Sequence, residues 1–476
     1  MAKIFVGRTE EKRILQNALA SEEAEMIAVI GRRRVGKTYL IESTYQEHII
    51  FQITGLQNAS KADQLDNFII RLQKLLPTAA PLDRPTSWLR AFALLTTVLD
   101  NQLGEEKKVV FLDELPWLAT HKSGFLAGLS YFWNSWAGKK NIVLVVCGSA
   151  ASWMIQKVVN NKGGLYNRLT KRIFLAPFTL AETKTYFQAR NINFNHYQIT
   201  QLYMALGGIP HHLKEVERGR SAIQNINRIC FSKNGLLRDE FSRLYPALFA
   251  HADRHIAIIR ALATKQKGLT RNEIIKQTKM SAGSSVTRTL EELEYSGFIS
   301  VYRPFGKKKK NQLYRLTDEY SLFYLKFIEG KDYEGEDIWH QLSQTQNFVS
   351  WSGYAFESIC LKHIPRIKKA LDFAGINSLS SSFYHQGNDE LPGAQIDLLI
   401  DRNDGVINLF EIKFYRDPFV LSKDYAAQLR RKRTIFSKIT RTNKQIFFVL
   451  IAAQGVLENT YSSEIFTQVL TLDDLF

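Results

Sequence analysis

Gly31-Arg-Arg-Arg-Val-Gly36-Lys37-Thr38 follows a β-rich run and precedes helical sequence, the setting in which a glycine loop closes on phosphate. The glycines let backbone N–H groups approach oxygen with no Cβ in the way, and the next helix adds its N-terminal dipole. In that frame Lys37 neutralises the β- and γ-phosphates of ATP, and the Thr38 hydroxyl ligates Mg2+. Further along, Val109-Val-Phe-Leu-Asp113-Glu114 brings two carboxylates to the end of an apolar strand. Ligands of α/β sheets bind at that edge, so both acids are expected beside the loop. Asp113 is the candidate for holding Mg2+, and Glu114 for orienting or deprotonating the attacking water. The next strand ends at Cys147-Gly-Ser149, where Ser149 either bonds near the γ-phosphate or caps a turn.

A second acidic pair lies far downstream. Residues 395–400 and 406–413 read as strands joined by Asp401-Arg-Asn-Asp-Gly405, a strong hairpin turn. A hairpin centred on Asp404 sets Asp397 directly opposite Glu411, and Lys413 then projects from the same face. Like charges directly opposed destabilise a hairpin, so the arrangement makes sense with a divalent cation between them. An Asp, then Glu-x-Lys on the next strand, after a helix carrying Glu357, resembles the PD-(D/E)xK nuclease domains. Ile396 stands where that motif has its proline. The resemblance implies Mg2+ on Asp397 and Glu411, with Glu357 as an outer ligand. It also implies Lys413 beside the attacking water or the scissile phosphate, and a basic helix (425–438, with Gln428 facing the site) along the DNA backbone. A salt-bridged Glu411–Lys413 surface strand is the alternative.

The elements that must position these groups follow from pattern. Runs at 26–30, 48–54, 109–112, 142–146 and 172–178 read as strands alternating with helices at 61–76, 87–103 and 123–136, which implies a parallel sheet of βαβ units. Thr179-Leu-Ala-Glu182 is a capping box opening mostly helical sequence to about residue 250. Three short helices (254–264, 271–278, 281–296) and a hairpin with a lysine-rich turn then give a winged helix. Residues 320–347 read as a helical connector, and a second, smaller α/β domain begins at Trp351.

At 476 residues and 45% apolar, with 30 Phe and 19 Tyr, the chain can fill several cores. Its apolar runs are shorter than the ~20 residues that span a bilayer, residues 1–8 lack an apolar leader, and three cysteines have no ligand-like spacing. The expectation is a cytoplasmic protein without a membrane partner. A net charge of +17 suits a polyanion. Six basic residues and no acid lie between 301 and 317, and ten against two acids between 413 and 444.

Val6-Gly-Arg8-Thr-Glu10, the arginines inside the loop, Phe111-Leu-Asp-Glu-Leu-Pro116, Cys147-Gly-Ser-Ala150 and Gly207-Gly-Ile-Pro210 together resemble a family of prokaryotic AAA-type ATPases related to the STAND signalling ATPases. The resemblance spans about residues 4–240. It implies that Val6–Arg8 approaches the adenine and that Gly207–Pro210 sits in a helical lid. It makes Arg168 a candidate arginine finger, with Arg33, Arg34 and Arg172 as alternatives and a plain surface charge as the remaining one. It also implies nucleotide-dependent self-association.

The resulting organisation is a P-loop ATPase core (1–178), helical lid (179–250), winged helix (251–320), connector (321–350) and restriction-endonuclease-like α/β domain (351–476). The function expected is an ATPase that binds DNA, through the Lys307–Lys310 turn flanked by Arg303 and Arg315, and cleaves it. A nucleotide-driven signalling switch with an inactive nuclease-like domain is the second reading.

Overall fold

The computed structural model describes residues 5–476 except 77–80, 266 and 390. They fall into two compact units, Met1–Pro177 and Phe178–Phe476. The first is built on five parallel strands: β1 (Glu25–Ile30), β2 (Ile49–Thr54), β3 (Lys108–Asp113), β4 (Ile142–Gly148) and β5 (Lys171–Phe174), in the order β2-β3-β4-β1-β5. β1 and β4 are buried at every position because helices cover both sheet faces, which explains their nearly continuous apolar sequence. The helices Lys61–Gln73, Trp88–Asp100 and Phe125–Ser135 stack Phe68, Trp88, Phe92, Phe125 and Phe132 on one side. Ser60 and Ser87 cap the first two. With β3, β4 and β1 adjacent, the segments that follow each of them emerge at one edge of the sheet.

In the second unit Thr179 and Glu182 form the expected capping box. The helices Ala252–Ala263, Arg271–Thr278 and Ser284–Tyr295 precede an antiparallel hairpin of β6 (Ile299–Tyr302) and β7 (Leu313–Leu316). Leu269 bridges Tyr314 to add a further rung. The segment read as a helical connector holds the helices Glu319–Phe327 and Ile338–Leu342 and is buried at Phe323, Phe327 and Trp339. All three pack with Trp351, and Phe323 and Trp339 also with Phe231 from the preceding helical region. Apolar spacing there reflects burial on several sides.

A mixed sheet follows: β8 (Ser378–His385), β9 (Ala394–Arg402), β10 (Val406–Lys413), β12 (Gln445–Ala452) and β14 (Phe466–Leu470), in the order β14-β12-β10-β9-β8. β8, β9 and β10 are antiparallel neighbours, whereas β12 runs parallel to β10 and to β14. A short parallel pair, β11 (Phe419–Val420) with β13 (Val456–Leu457), stands apart. Alternation sorts the faces: Leu399, Ile407 and Leu409 pack with Leu429 and Phe436 of the helix Lys423–Thr440, while Leu398, Ile400, Phe410 and Ile412 join the core containing Phe356 and Ile359.

Candidate functional site

The loop after β1 is shaped by its glycines. A Cβ on Gly31 would stand 2.5 Å from the Leu175 carbonyl oxygen, and Gly36 has φ +94°. Gly36 caps the helix Lys37–Tyr45 without a side-chain bond, so the first amides of that helix are left for a ligand. Lys37 is buried, and its Nζ donates to the carbonyls of Gly31 (2.9 Å) and Arg32 (3.1 Å), curling back over the loop. Arg8, buried and in the left-handed region, donates from Nη2 to the Val35 carbonyl at 3.3 Å, which ties Val6–Arg8 to the same loop.

Thr38 and the β3 acids meet across the sheet edge. The Thr38 hydroxyl donates to Asp113 Oδ2 at 2.9 Å, and Asp113 Oδ1 accepts the Glu114 N–H at 2.9 Å and the Cys147 thiol at 2.5 Å. Burial first, and then the neighbouring Asp113 charge, pushes the Cys147 thiol well up, so it stays a protonated donor. Glu114 adopts φ +47°, and its Oε2 accepts both the N–H (3.0 Å) and the hydroxyl (2.9 Å) of Ser149. The turn is tightly packed: a Cβ on Gly55 would lie 2.7 Å from the Glu114 carbonyl oxygen, and one on Gly148 2.6 Å from Pro116 Cδ. Gly31, Gly36, Lys37, Thr38, Asp113, Glu114 and Ser149 are thus gathered at one edge. Arg168 and Arg172 are exposed, and Arg33 and Arg34 are half-buried. Cys147 and Arg8 are contributors to this edge that the spacing of charges does not single out.

In the second unit the register of β9 and β10 pairs Leu398 with Phe410 and Leu399 with Leu409, centred on Asp404. Asp397 and Glu411 follow one step beyond. A cavity of about 420 Å³ is lined by Asp397, Glu411, Lys413, Glu357, Gln428 and Lys432 among others. Glu411 is engaged on both oxygens: Oε1 meets Lys413 Nζ at 2.8 Å and accepts the Tyr425 hydroxyl, and Oε2 accepts from Lys432 at 3.1 Å. Burial works to raise the Glu411 carboxyl, but Lys413 and Lys432 outweigh it and hold the group below its ordinary range. Gln395 donates to Asp397 Oδ1 at 2.6 Å. Tyr425 and Lys432 are partners that lie too far along the chain for the local motif to have indicated them. Among the described residues, no three His, Cys, Asp or Glu side chains form a preformed metal cage. The acids line one pocket, and two lysines hold Glu411 in it.

Glu357 sits where burial, chiefly, and the charge of Asp397 push its carboxyl up to about 8, against the opposing pull of Arg315. That arginine corrects an expectation. Arg315, taken from sequence as a flank of the DNA-facing turn, is buried. It bonds the Ser358 hydroxyl (3.1 Å), Glu357 Oε2 (3.3 Å) and the Tyr354 hydroxyl (3.3 Å), with its guanidinium 4.4 Å from the Tyr354 ring centre. The hairpin turn is docked as well: Phe305 N–H donates to the Ser382 carbonyl at 2.7 Å, and its ring packs on Phe436. Arg303, Lys307, Lys308 and Lys310 remain exposed.

Among the described residues, no helix is long and apolar enough to cross a membrane. The chain is 24% identical over 422 residues to the uncharacterized protein MJECL04 of Methanocaldococcus jannaschii, covering 86% of this chain and 88% of that one. It resembles the Walker-type ATPase PABY2304 of Pyrococcus abyssi (19% identity, TM-score 0.48, 67% of this chain and 96% of that one). It also resembles the ORC2 protein of Aeropyrum pernix (15%, 0.40, 68% and 95%) and the RuvB Holliday junction branch migration motor of Thermotoga maritima (16%, 0.35, 65% and 92%). Residues 5–216 match the family described as an ATPase domain predominantly from Archaea, a span that contains the loop after β1 and both β3 acids and ends before β6.

Proposed function

We propose that this protein is an AAA-type, ATP-hydrolysing enzyme that binds DNA through a winged helix and cleaves it in a Mg2+-dependent PD-(D/E)xK-like C-terminal domain. The ATPase half is supported by the family match and by the donor set at the sheet edge. Lys37 and the amides opening its helix bind the phosphates, while Thr38 and Asp113 are the hard-oxygen pair suited to Mg2+. Glu114, held through Oε2, keeps Oε1 to orient a water. Arg168 is the proposed trans-acting finger in a nucleotide-dependent homo-oligomer.

The observation that supports the nuclease half is that Asp397, Glu411, Lys413 and Glu357 line one cavity, at the end of a β9–β10 ladder whose pairs run to Leu398 and Phe410. When bound, Mg2+ supplies charge stabilisation and an activated water at the scissile phosphate. Asp397 and Glu411 would hold it, with Glu357 as an outer ligand. Lys413 steadies the developing negative charge, and the helix Lys423–Thr440 carries the backbone. Incubation with plasmid, Mg2+ and ATP tests this: wild type should nick or linearise it, and full cleavage by a Lys413→Ala protein would refute it.

One observation favours a second reading, a nucleotide-driven switch that binds DNA without cutting. Both oxygens of Glu411 are already satisfied by Lys413, Tyr425 and Lys432. Calorimetry separates the two, since the switch predicts no Mg2+ or Mn2+ affinity that depends on Asp397.

A further inference from the structure

Two cavities of the second unit meet at the same pair of residues. One is the acid pocket. The other, of about 490 Å³, has walls from the β6–β7 hairpin (Lys307, Arg315), from β8 and β9 (Tyr384), and from the segment before the helix Arg271–Thr278 (Lys265, Lys267). Asp397 and Gln395 line both. Two of the four cations in the second cavity are already engaged: Lys265 pairs with Glu273 at 2.5 Å, and Arg315 is buried and bonded to Glu357, Ser358 and Tyr354. Lys267 and Lys307 have no carboxylate partner among the described residues. Lys267 Nζ stands 3.4 Å from the centre of the Tyr384 ring, which is 41% exposed. Lys267 thus covers one face of a ring that stays partly exposed, and an aromatic ring with cations that no carboxylate holds is the chemistry that binds single-stranded nucleic acid, stacking for the base and charge for the backbone. Each cavity falls in the ~300–1,000 Å³ range of a small-ligand pocket, room for a nucleotide or two.

We propose that the two cavities form one track for a single nucleic-acid strand, with phosphates on Lys267 and Lys307, a base against Tyr384, and the chain passing Asp397 into the acid pocket. The docked hairpin is thus one wall of the substrate path, and Arg315 fixes that wall to the helix bearing Glu357. This path rests on the acid pocket being a phosphodiester site. It adds the substrate's form, an unpaired strand or a frayed end, and the direction from which it arrives.

The test is the anisotropy of a fluorescein-labelled oligothymidylate with the full-length protein in EDTA, where no cleavage intervenes. Lys267→Glu and Lys307→Glu should each weaken binding about tenfold and lower the log–log salt slope by about 0.7, the value for one single-strand phosphate. Tyr384→Ala should weaken it several-fold, while Lys331→Glu, which lines neither cavity, should change it less than twofold. Lys307 is exposed, so its reversal leaves the fold intact. Wild-type affinity in Lys267→Glu and Lys307→Glu, or a blunt duplex competing as well as the strand, would overturn the track. A wild type that binds the strand through these lysines but never cuts it retains the track and overturns the nuclease. Cutting that survives both reversals undiminished does the opposite.

Discussion

Ser149 gives both of its donors, the backbone N–H at 3.0 Å and the hydroxyl at 2.9 Å, to a single oxygen of Glu114. Glu114 stands in a left-handed backbone conformation that only its surroundings can hold, with Gly55 and Gly148 pressed against the same turn. The serine therefore sets where the carboxylate points. Ser149→Ala keeps the N–H bond and removes the hydroxyl bond, a loss of about 1 kcal/mol of positioning, or roughly fivefold in rate. Single-turnover ATP hydrolysis should fall by about that factor in Ser149→Ala, with nucleotide affinity unchanged. Glu114→Gln should lose roughly 100-fold or more, as expected when general-base assistance is removed. Equal rates for Glu114→Gln and wild type would take Glu114 out of the chemistry.

Arg315 and Glu357 form the other decisive pair. At neutral pH the Glu357 carboxyl, lifted to about 8 mainly by burial, is largely protonated and makes a modest hydrogen bond. Above pH 8 it ionises, and the buried guanidinium becomes its counter-charge. Removing one partner of a buried ion pair costs about 3–5 kcal/mol. Arg315→Met should therefore destabilise the protein by a growing amount from pH 7 to pH 9. Glu357→Gln should flatten that dependence, because no charge is then left to strand. A double-mutant cycle in urea at the two pH values reads the coupling directly. A coupling that is the same at both would show that Glu357 does not titrate in this range.

These two pairs also show what the sequence made legible. The phosphate loop, the β3 acids and the Asp404-centred hairpin register depend on local spacing and strand alternation, and each appears where the residues place it. Arg315 does not, because a charge count records how many cations a turn carries and not which way each one points. A lysine-rich hairpin read as a DNA-binding wing, with Arg315 among its cations, has that arginine turned inward and a phenylalanine seated on Phe436. The burial of residues 320–347 was not legible for a related reason, since their partners Phe231 and Trp351 come from outside the segment.

His363 supplies a pH dependence of opposite sign. It is buried, its Nε2 accepts the Leu180 N–H at 3.1 Å, and Nδ1 faces the Ile359 carbonyl at 2.8 Å, which fixes the neutral tautomer with its proton on Nδ1. Burial lowers its pKa to about 4 from an ordinary 6.5. Between those values the unfolded chain takes up a proton that the folded chain refuses. Stability contributed here is complete above pH 6.5, falls as pH drops through that window, and levels off below about 4, for a loss of about 3 kcal/mol at ~1.4 kcal/mol per unit. Urea midpoints for wild type should fall more steeply over this range than those of His363→Gln, and parallel curves would exclude the histidine as the cause.

Lys432 tests whether the acid pocket takes a metal. Its ammonium contacts Glu411 Oε2 at 3.1 Å, so a divalent cation bound by Glu411 must compete with it for the same oxygen and meet its charge at close range. Removing that competitor should help the metal: Lys432→Ala is expected to tighten Mn2+ binding several-fold by calorimetry, and Asp397→Asn to abolish it. Lys413→Ala shares the first effect, since Lys413 Nζ is 2.8 Å from Glu411 Oε1, but it loses cleavage because that amine is needed at the phosphate. Tighter metal with retained cutting in Lys432→Ala, and tighter metal without cutting in Lys413→Ala, would separate a lysine that occupies the site at rest from one that works in it. Metal binding indifferent to both lysines would mean that the ion, if bound, sits away from Glu411.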